Sequence, residues 1–177
     1  MKLKNIITLL ILSVGIVSCS HKNEFGQRRI NFNIHKIKPN SDNNVYRLID
    51  TTKLYLEVSI ANTLDSSVKQ NSENNLKSNP SYLKFYSNGR VGEFKNIDFK
   101  NIETFNPKRA ESYLYKLKNN KLTVQVYFKH TECGQCFIKK EVSNISNETI
   151  ELTAENYIYT YKKVEMPQTY LIYKPDW

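Results

Sequence analysis

From Val45 onward, apolar and polar residues alternate with a period of two in short runs separated by turn formers. Val45–Ile49 and Leu54–Ile60 are rich in β-branched and aromatic side chains and are parted by Asp50-Thr51-Thr52, so both read as strands. Tyr82–Tyr86 and Arg90–Ile97 flank Ser87-Asn88-Gly89, where Asn-Gly predicts a tight hairpin of type I′. Tyr113–Leu117 and Leu122–Phe128 flank Lys118-Asn119-Asn120-Lys121, a second hairpin. In the latter strand Leu122, Val124, Val126 and Phe128 share one face, while Thr123, Gln125, Tyr127 and Lys129 share the other. One face therefore meets a core and the other meets water. Strands follow at Cys136–Val142, Glu148–Thr153 and Tyr157–Val164, with Ser143–Asn147 turning between the first two. A last strand is predicted at Tyr170–Lys174, after Pro167. Upstream, Ile30, Phe32 and Ile34 alternate with polar residues, as in a first strand or extended arm. Asp65–Pro80 has no apolar period and reads as a long exposed loop, a candidate lid. Only Asn106–Ser112, with its Asn-Pro start, could make a helical turn. The pattern predicts an all-β domain over residues 30–177, an antiparallel up-and-down meander with little helix. Closure into a barrel would remove its exposed edges.

The N-terminus follows a different pattern. Lys2 and Lys4 precede an apolar run from Ile6 to Val17, the layout of a secretory signal peptide over residues 1–18 and too short for a membrane span. Ile16-Val17-Ser18-Cys19 resembles a bacterial lipobox, which implies acyl chains on Cys19. Each buried methylene contributes about 0.8 kcal/mol, so two or more chains give durable anchoring. By analogy with enterobacterial sorting, Ser20 in place of Asp points to the outer membrane, facing the periplasm. Residues 19–29 then read as the acylated cysteine and a polar tether.

A family resemblance adds to this. Leu48–Tyr55, then Tyr82–Val91, then Asn106-Pro107-Lys108 leading into Tyr113-Leu114-Tyr115, are similar to small lipocalin-like lipoproteins of Bacteroidetes. The resemblance runs from about Val45 to Met166. It implies a lipocalin-like barrel open at one end and carries over no functional residues. The Gly-x-Trp of true lipocalins is absent; the only tryptophan is Trp177.

Charge changes the picture little. The formal net charge is +9, from 26 basic and 17 acidic residues. Removing residues 1–18 takes away Lys2 and Lys4 and no acid, so the body stays basic. The charges are scattered without long runs, as on a solvated surface. An extracytoplasmic address argues against a nucleic-acid partner.

The motif HTECGQC (130–136) permits three chemistries. A thioredoxin-like dithiol would place Cys133 at a helix N-terminus, where its thiolate is stabilised. A metal site could draw on His130, Cys133 and Cys136, but no fourth ligand is evident, so no metal or other cofactor is expected. The preferred reading is a two-residue turn with Gly134 at its first central position. Cys133 and Cys136 would then face each other across the strand ends, about 5.5 Å apart at Cα, and bridge in an oxidising compartment.

The aromatic load is high, with twelve Tyr and eight Phe. Ordinary half-buried strand packing accounts for most of it. Inward positions Phe85, Val124, Val126, Tyr157, Tyr159 and Tyr161 are candidate ligand-lining residues. Glu103, Glu111, Glu141, Glu151 and Glu155 have no spacing that suggests acid–base pairs and read as solvent-facing. No Gly-rich phosphate loop or hydrolase motif is present. The expectation is a non-enzymatic, membrane-anchored lipoprotein that binds a small apolar or amphipathic ligand, or a protein partner. The alternative is a thiol–disulfide oxidoreductase using Cys133 and Cys136.

Overall fold

The computed structural model of the chain describes residues 20–30, 36–64, 78–132 and 134–177. The signal peptide, Cys19, Phe32, Ile34, Cys133 and most of the Asp65–Pro80 loop lie outside them. β1 (Ser20–Lys22) pairs with β2 (Arg28–Ile30) as a small hairpin. Eight further strands are β3 (Leu54–Asn62), β4 (Ser81–Phe85), β5 (Arg90–Lys95), β6 (Glu111–Lys118), β7 (Lys121–His130), β8 (Gly134–Ile145), β9 (Thr149–Ala154) and β10 (Tyr157–Val164). Each pairs antiparallel with its neighbours in the chain, and β10 returns to β3 to close the barrel. This is the up-and-down meander that the alternating pattern predicts.

Several connections differ from that prediction. Asn119 and Asn120 both take positive φ (51° and 60°), as a type I′ pair requires. At Ser87–Gly89 only Gly89 is positive (φ +78°), while Tyr86 N–H donates to Arg90 O at 2.9 Å. The connection is therefore a three-residue loop with a left-handed glycine, not a type I′ pair. Val45–Ile49 is not a strand. Asn43–Arg47 is a 3-10 turn capped by Asp42, whose side chain accepts from Asn44 N–H. A spacing of four between Val45 and Ile49 suits one helical turn as well as two strand periods, and capping decides between them. Tyr170–Lys174 is likewise not a strand: Gln168–Ile172 is a 3-10 turn within a segment that runs along the outer wall.

The barrel interior is divided along its axis. At the lower end the 3-10 turn inserts Val45 and Ile49. They pack with Tyr55, Phe85, Tyr115, Leu117, Leu122 and Val124. The Phe85 ring meets Tyr55 and Tyr115 edge-on at 5.2 and 5.4 Å. Phe85 and Val124, 0% and 1% exposed, are buried in this cluster. The two belong to the floor of the barrel, where rings from β3, β4 and β6 pack together.

A second apolar cluster lies outside the wall of β4, β5 and β6. Tyr82, Tyr86 and Phe94 point outward there and are covered by Phe105, Ala110, Met166 and Trp177. Residues 20–30, expected to be a loose tether, are a hairpin docked on the same wall. Arg29 carries the docking. Its guanidinium donates to Ala110 O and Pro107 O (both 3.0 Å), pairs with Asp176 (3.0 Å), and stacks on Trp177 at 4.8 Å from the ring centroid. Ser112 Oγ donates to Arg28 O. Part of the segment's polarity goes into bonds to residues 107–112, from Asn23, Glu24, Arg28 and Arg29, while His21 and Lys22 face solvent.

Lys84, also on this wall, is 4% exposed and donates to Thr51 O. Burial pushes its pKa down to about 8, with Asp50 opposing. Between about 8 and the usual lysine range the folded state has released a proton that the unfolded chain still holds, so stability rises with pH across that window. Urea unfolding should show the wild type gaining on Lys84→Met by up to about 1.4 kcal/mol per pH unit there. Parallel profiles would sink the assignment.

Candidate functional site

Above the floor the inward face turns polar. Two β-bulges help to build it. Where β10 meets β3, the register shifts between Thr160 and Tyr161, so Tyr161 opposes Glu57 while Tyr159 opposes Ile60. The extra residue keeps both Glu57 and Ile60 inward. A similar shift between Val142 and Asn144 serves β8 and β9. In β5 the inward positions are Val91, Glu93 and Lys95. In β8 they include Cys136, Ile138, Lys140 and Val142, since Lys140 opposes the inward Val124. The upper end of the inward face is therefore a charged, tyrosine-rich layer, the cup, formed by Glu57, Glu93, Lys95, Tyr113, Lys140, Tyr159 and Tyr161. The half-buried Val126 flanks it.

Glu93 is the best-served member. Its carboxylate accepts from Ser81 Oγ (2.6 Å), Tyr113 Oη (2.7 Å) and Lys95 Nζ. Burial alone would raise its pKa, but Lys95, Ser81 and Tyr113 together hold it below the usual glutamate range. Lys95 is correspondingly raised by Glu93, against the effect of its own burial. Tyr113 Oη also lies 2.6 Å from Glu111 Oε2. One hydroxyl hydrogen serves one of these two carboxylates at a time. Burial, then both glutamates, pushes the Tyr113 phenol well up.

Glu57 and Lys140 are served less well. Glu57 is 8% exposed, and its described hydrogen bond comes from Tyr161 Oη at 3.2 Å. Burial, reinforced by Glu93, pushes its pKa up, while Lys140 and Lys95 oppose this. The Lys140 ammonium sits 3.5 Å from the centroid of the Tyr159 ring. Burial pushes its pKa down, against the pull of Glu93 and Glu57. Among the described residues no ion pair joins Lys140 to a carboxylate.

β3 and β4 pair only at Tyr55–Leu83 and Leu56–Tyr82, so above these positions the two strands are not hydrogen-bonded beside Glu57 and Ser81. The β1–β2 hairpin lies along the rim of β6, with a cavity on each side of it. One of about 360 Å³ reaches Glu111, Tyr113 and Phe128, and one of about 250 Å³ reaches Glu93, Lys95 and Glu111.

The tyrosines anticipated on one face of β10 do share a face, at three depths. Tyr161 is buried on the floor against Glu57, Tyr159 is half-buried under Lys140, and Tyr157 is exposed at the rim. Sequence reasoning missed the ionic members. Their signal was a charge at an inward position of an apolar period: Glu57 two residues after Tyr55, Glu93 and Lys95 after Val91, Lys140 after Ile138. Glu111, read as solvent-facing, is exposed but meets Tyr113. Glu141, Glu155 and Glu103 are exposed.

The 130–136 motif sits at the rim, and its turn is not the one expected. His130 opposes Gly134 and Phe128 opposes Cys136, so Gly134 already opens β8. Gly134 and Gln135 are ladder residues and not a two-residue turn, because the ladder extends two residues farther than the turn signal implied; Cys133 itself lies outside the described residues. Cys136 lies within a strand, so no helix N-terminus forms there to favour a thiolate. Among the described residues no group of His, Cys, Asp and Glu is arranged to hold a metal ion. Comparison with known proteins finds no matching family model, curated protein or solved structure.

Proposed function

We propose that the chain is an extracytoplasmic lipoprotein with a lipocalin-like barrel that binds a small molecule at its open end without transforming it. Acyl chains on Cys19 hold it to the outer membrane, with the body on the periplasmic side. The ligand is polar or amphipathic and enters polar end first. The observation that carries this reading is the axial division of the interior: a charged, tyrosine-lined cup stands over a floor that is filled. An apolar tail has no room below Tyr161. A polar group, in contrast, finds donors and acceptors already stripped of much of their water, and such groups fix orientation and specificity in ligand sites. We also propose that Cys133 bridges Cys136 and stiffens the rim.

Native mass spectrometry of the intact protein, purified gently from membranes, tests the binding reading. A small molecule should co-purify with the wild type and be lost in Val126→Trp, which fills the cup from β7. A wild type with no bound mass, or a bound mass that persists in Val126→Trp, would overturn it. Capture of a protein instead, with the cup empty, would favour the partner-binding alternative.

A further inference from the structure

The ladder between β6 and β7 ends at Leu114 and Gln125, although β6 begins at Glu111 and β7 continues to His130. Beyond that pair the two strands are not joined, and the cavity of about 360 Å³ lies in the opening. Its lining includes Ser112 and Tyr127, on the outward faces of their strands, and Tyr113 and Phe128, on the inward faces. A space bordered by both faces of two neighbouring strands is a slot in the wall itself. The β1–β2 hairpin forms the outer side of the slot through Lys22, Gln27 and Arg28. Two features set it apart. Lys22 and Arg28 stand directly opposite each other in the hairpin, and both border the cavity. Like charges so arranged oppose strand pairing. Among the described residues neither side chain has an ion-pair partner. Independently, Tyr127 is 7% exposed, and its hydroxyl has no hydrogen-bond partner among the described residues. A buried donor left unpaired destabilises the fold that holds it.

We infer that the slot binds a small organic acid, with its carboxylate or phosphate between Lys22 and Arg28 and its apolar body against Tyr127 and Phe128. The two cations and the unpaired hydroxyl lack the same thing, a negatively charged acceptor. A guanidinium such as that of Arg28 meets either acid group through two parallel hydrogen bonds. Glu111 also borders the cavity, but it is exposed and shares the Tyr113 hydroxyl with Glu93. One solvated carboxylate thus opposes two cations, and a neutral or cationic ligand would leave Lys22 and Arg28 uncompensated. The volume is at the small end for ligand sites, so it suits one ring or a short chain and not a pair of acyl tails. Tyr113 borders both the slot and the cup. The inference nonetheless holds whatever the cup contains, because the two cations belong to the hairpin.

Calorimetric titration of the intact protein in an uncharged detergent tests this, with phenyl phosphate and benzoate as probes. At least one of the two should bind, with phenol, inorganic phosphate and acetate at least tenfold weaker. Short-chain phosphatidic acid presents the same acid group on a lipid and should bind no more tightly than phenyl phosphate. Arg28→Gln and Lys22→Gln should each weaken the bound probe at least fivefold, and added salt should weaken it as well. Arg28 meets the wall through its backbone carbonyl, so its substitution leaves the hairpin seated. Lys118→Gln removes an exposed cation from the far end of β6 and should leave the affinity unchanged, which separates a local effect from net charge. The inference is overturned if neither acid binds, if phenol matches them, or if the two hairpin variants lose no more affinity than Lys118→Gln. Tighter binding of phosphatidic acid overturns the assignment to a small soluble acid.

Discussion

Gly89→Ala should destabilise the barrel by about 4 kcal/mol, beyond the ordinary cost of overpacking. Gly89 has a φ of +78°, which already disfavours an L side chain by about 1–2 kcal/mol. Space adds the larger part. A Cβ at this position would lie 2.1 Å from Asn40 N and 2.7 Å from Pro39 C, both backbone atoms that cannot swing aside. Moving them breaks a junction. Asn40 N–H donates to Tyr115 O at 3.0 Å, Tyr115 N–H donates to Gly89 O at 2.9 Å, and Asn40 Oδ1 accepts from Leu117 N–H at 2.9 Å. These bonds seat the segment that carries Val45 and Ile49 into the lower end of the barrel. Gly26 supplies the control: its φ is +76°, but nothing lies within 4 Å of where a methyl would sit. Gly26→Ala should therefore cost only the backbone term, about 1–2 kcal/mol. Urea unfolding of both variants measures the contrast. Equal losses would mean that conformational strain, not the crossing of Asn40, sets the cost.

Arg29→Met should loosen both ends of the chain together and lower stability by about 3 kcal/mol. Removing one partner of a buried ion pair costs roughly 3–5 kcal/mol, and the low end applies because Asp176 keeps some exposure. The guanidinium is 4% exposed as a side chain and joins three separate segments: the β1–β2 hairpin, the Pro107–Ala110 turn and the Asp176–Trp177 end. Methionine fills the volume but donates nothing, so Asp176 and the two carbonyls must find water. Hydrogen exchange should accelerate in residues 20–30 and 168–177 and stay slow in β6 and β7. Trp177 is the only tryptophan, so its emission should shift to the red in step. Faster exchange throughout the barrel would show instead that the outer wall and the barrel unfold as one unit.

Because the β1–β2 hairpin immediately follows Cys19, such loosening would also change how the barrel is held. With Arg29 in place, the proposed anchor emerges from a strand clamped beside the cup rather than from a slack linker. That difference was not legible in SHKNEFGQRR, whose polarity suits a tether and a hydrogen-bonded hairpin equally well. The same ambiguity affected Val45–Ile49, where a spacing of four fits strand and helical turn alike, and Gly134, where a turn signal lay inside the ladder. In each case the competing local structures differ little in energy, and contacts distant in sequence choose between them.

The eight barrel strands and their antiparallel order follow from the sequence alone. A period of two with tight turns leaves the chain one efficient way to cover both its apolar face and its edges. The shared face of Tyr157, Tyr159 and Tyr161 follows in the same way. The depth of each tyrosine does not, nor does the division into a filled floor and a charged cup. Those depend on bulges that shift the inward register at Glu57 and Val142, and on a 3-10 turn that closes the lower end. A strand's own residues state which of them share a face. Only the closed barrel decides whether that face meets rings, water or an opposite charge, because the answer is supplied by strands far away in the chain.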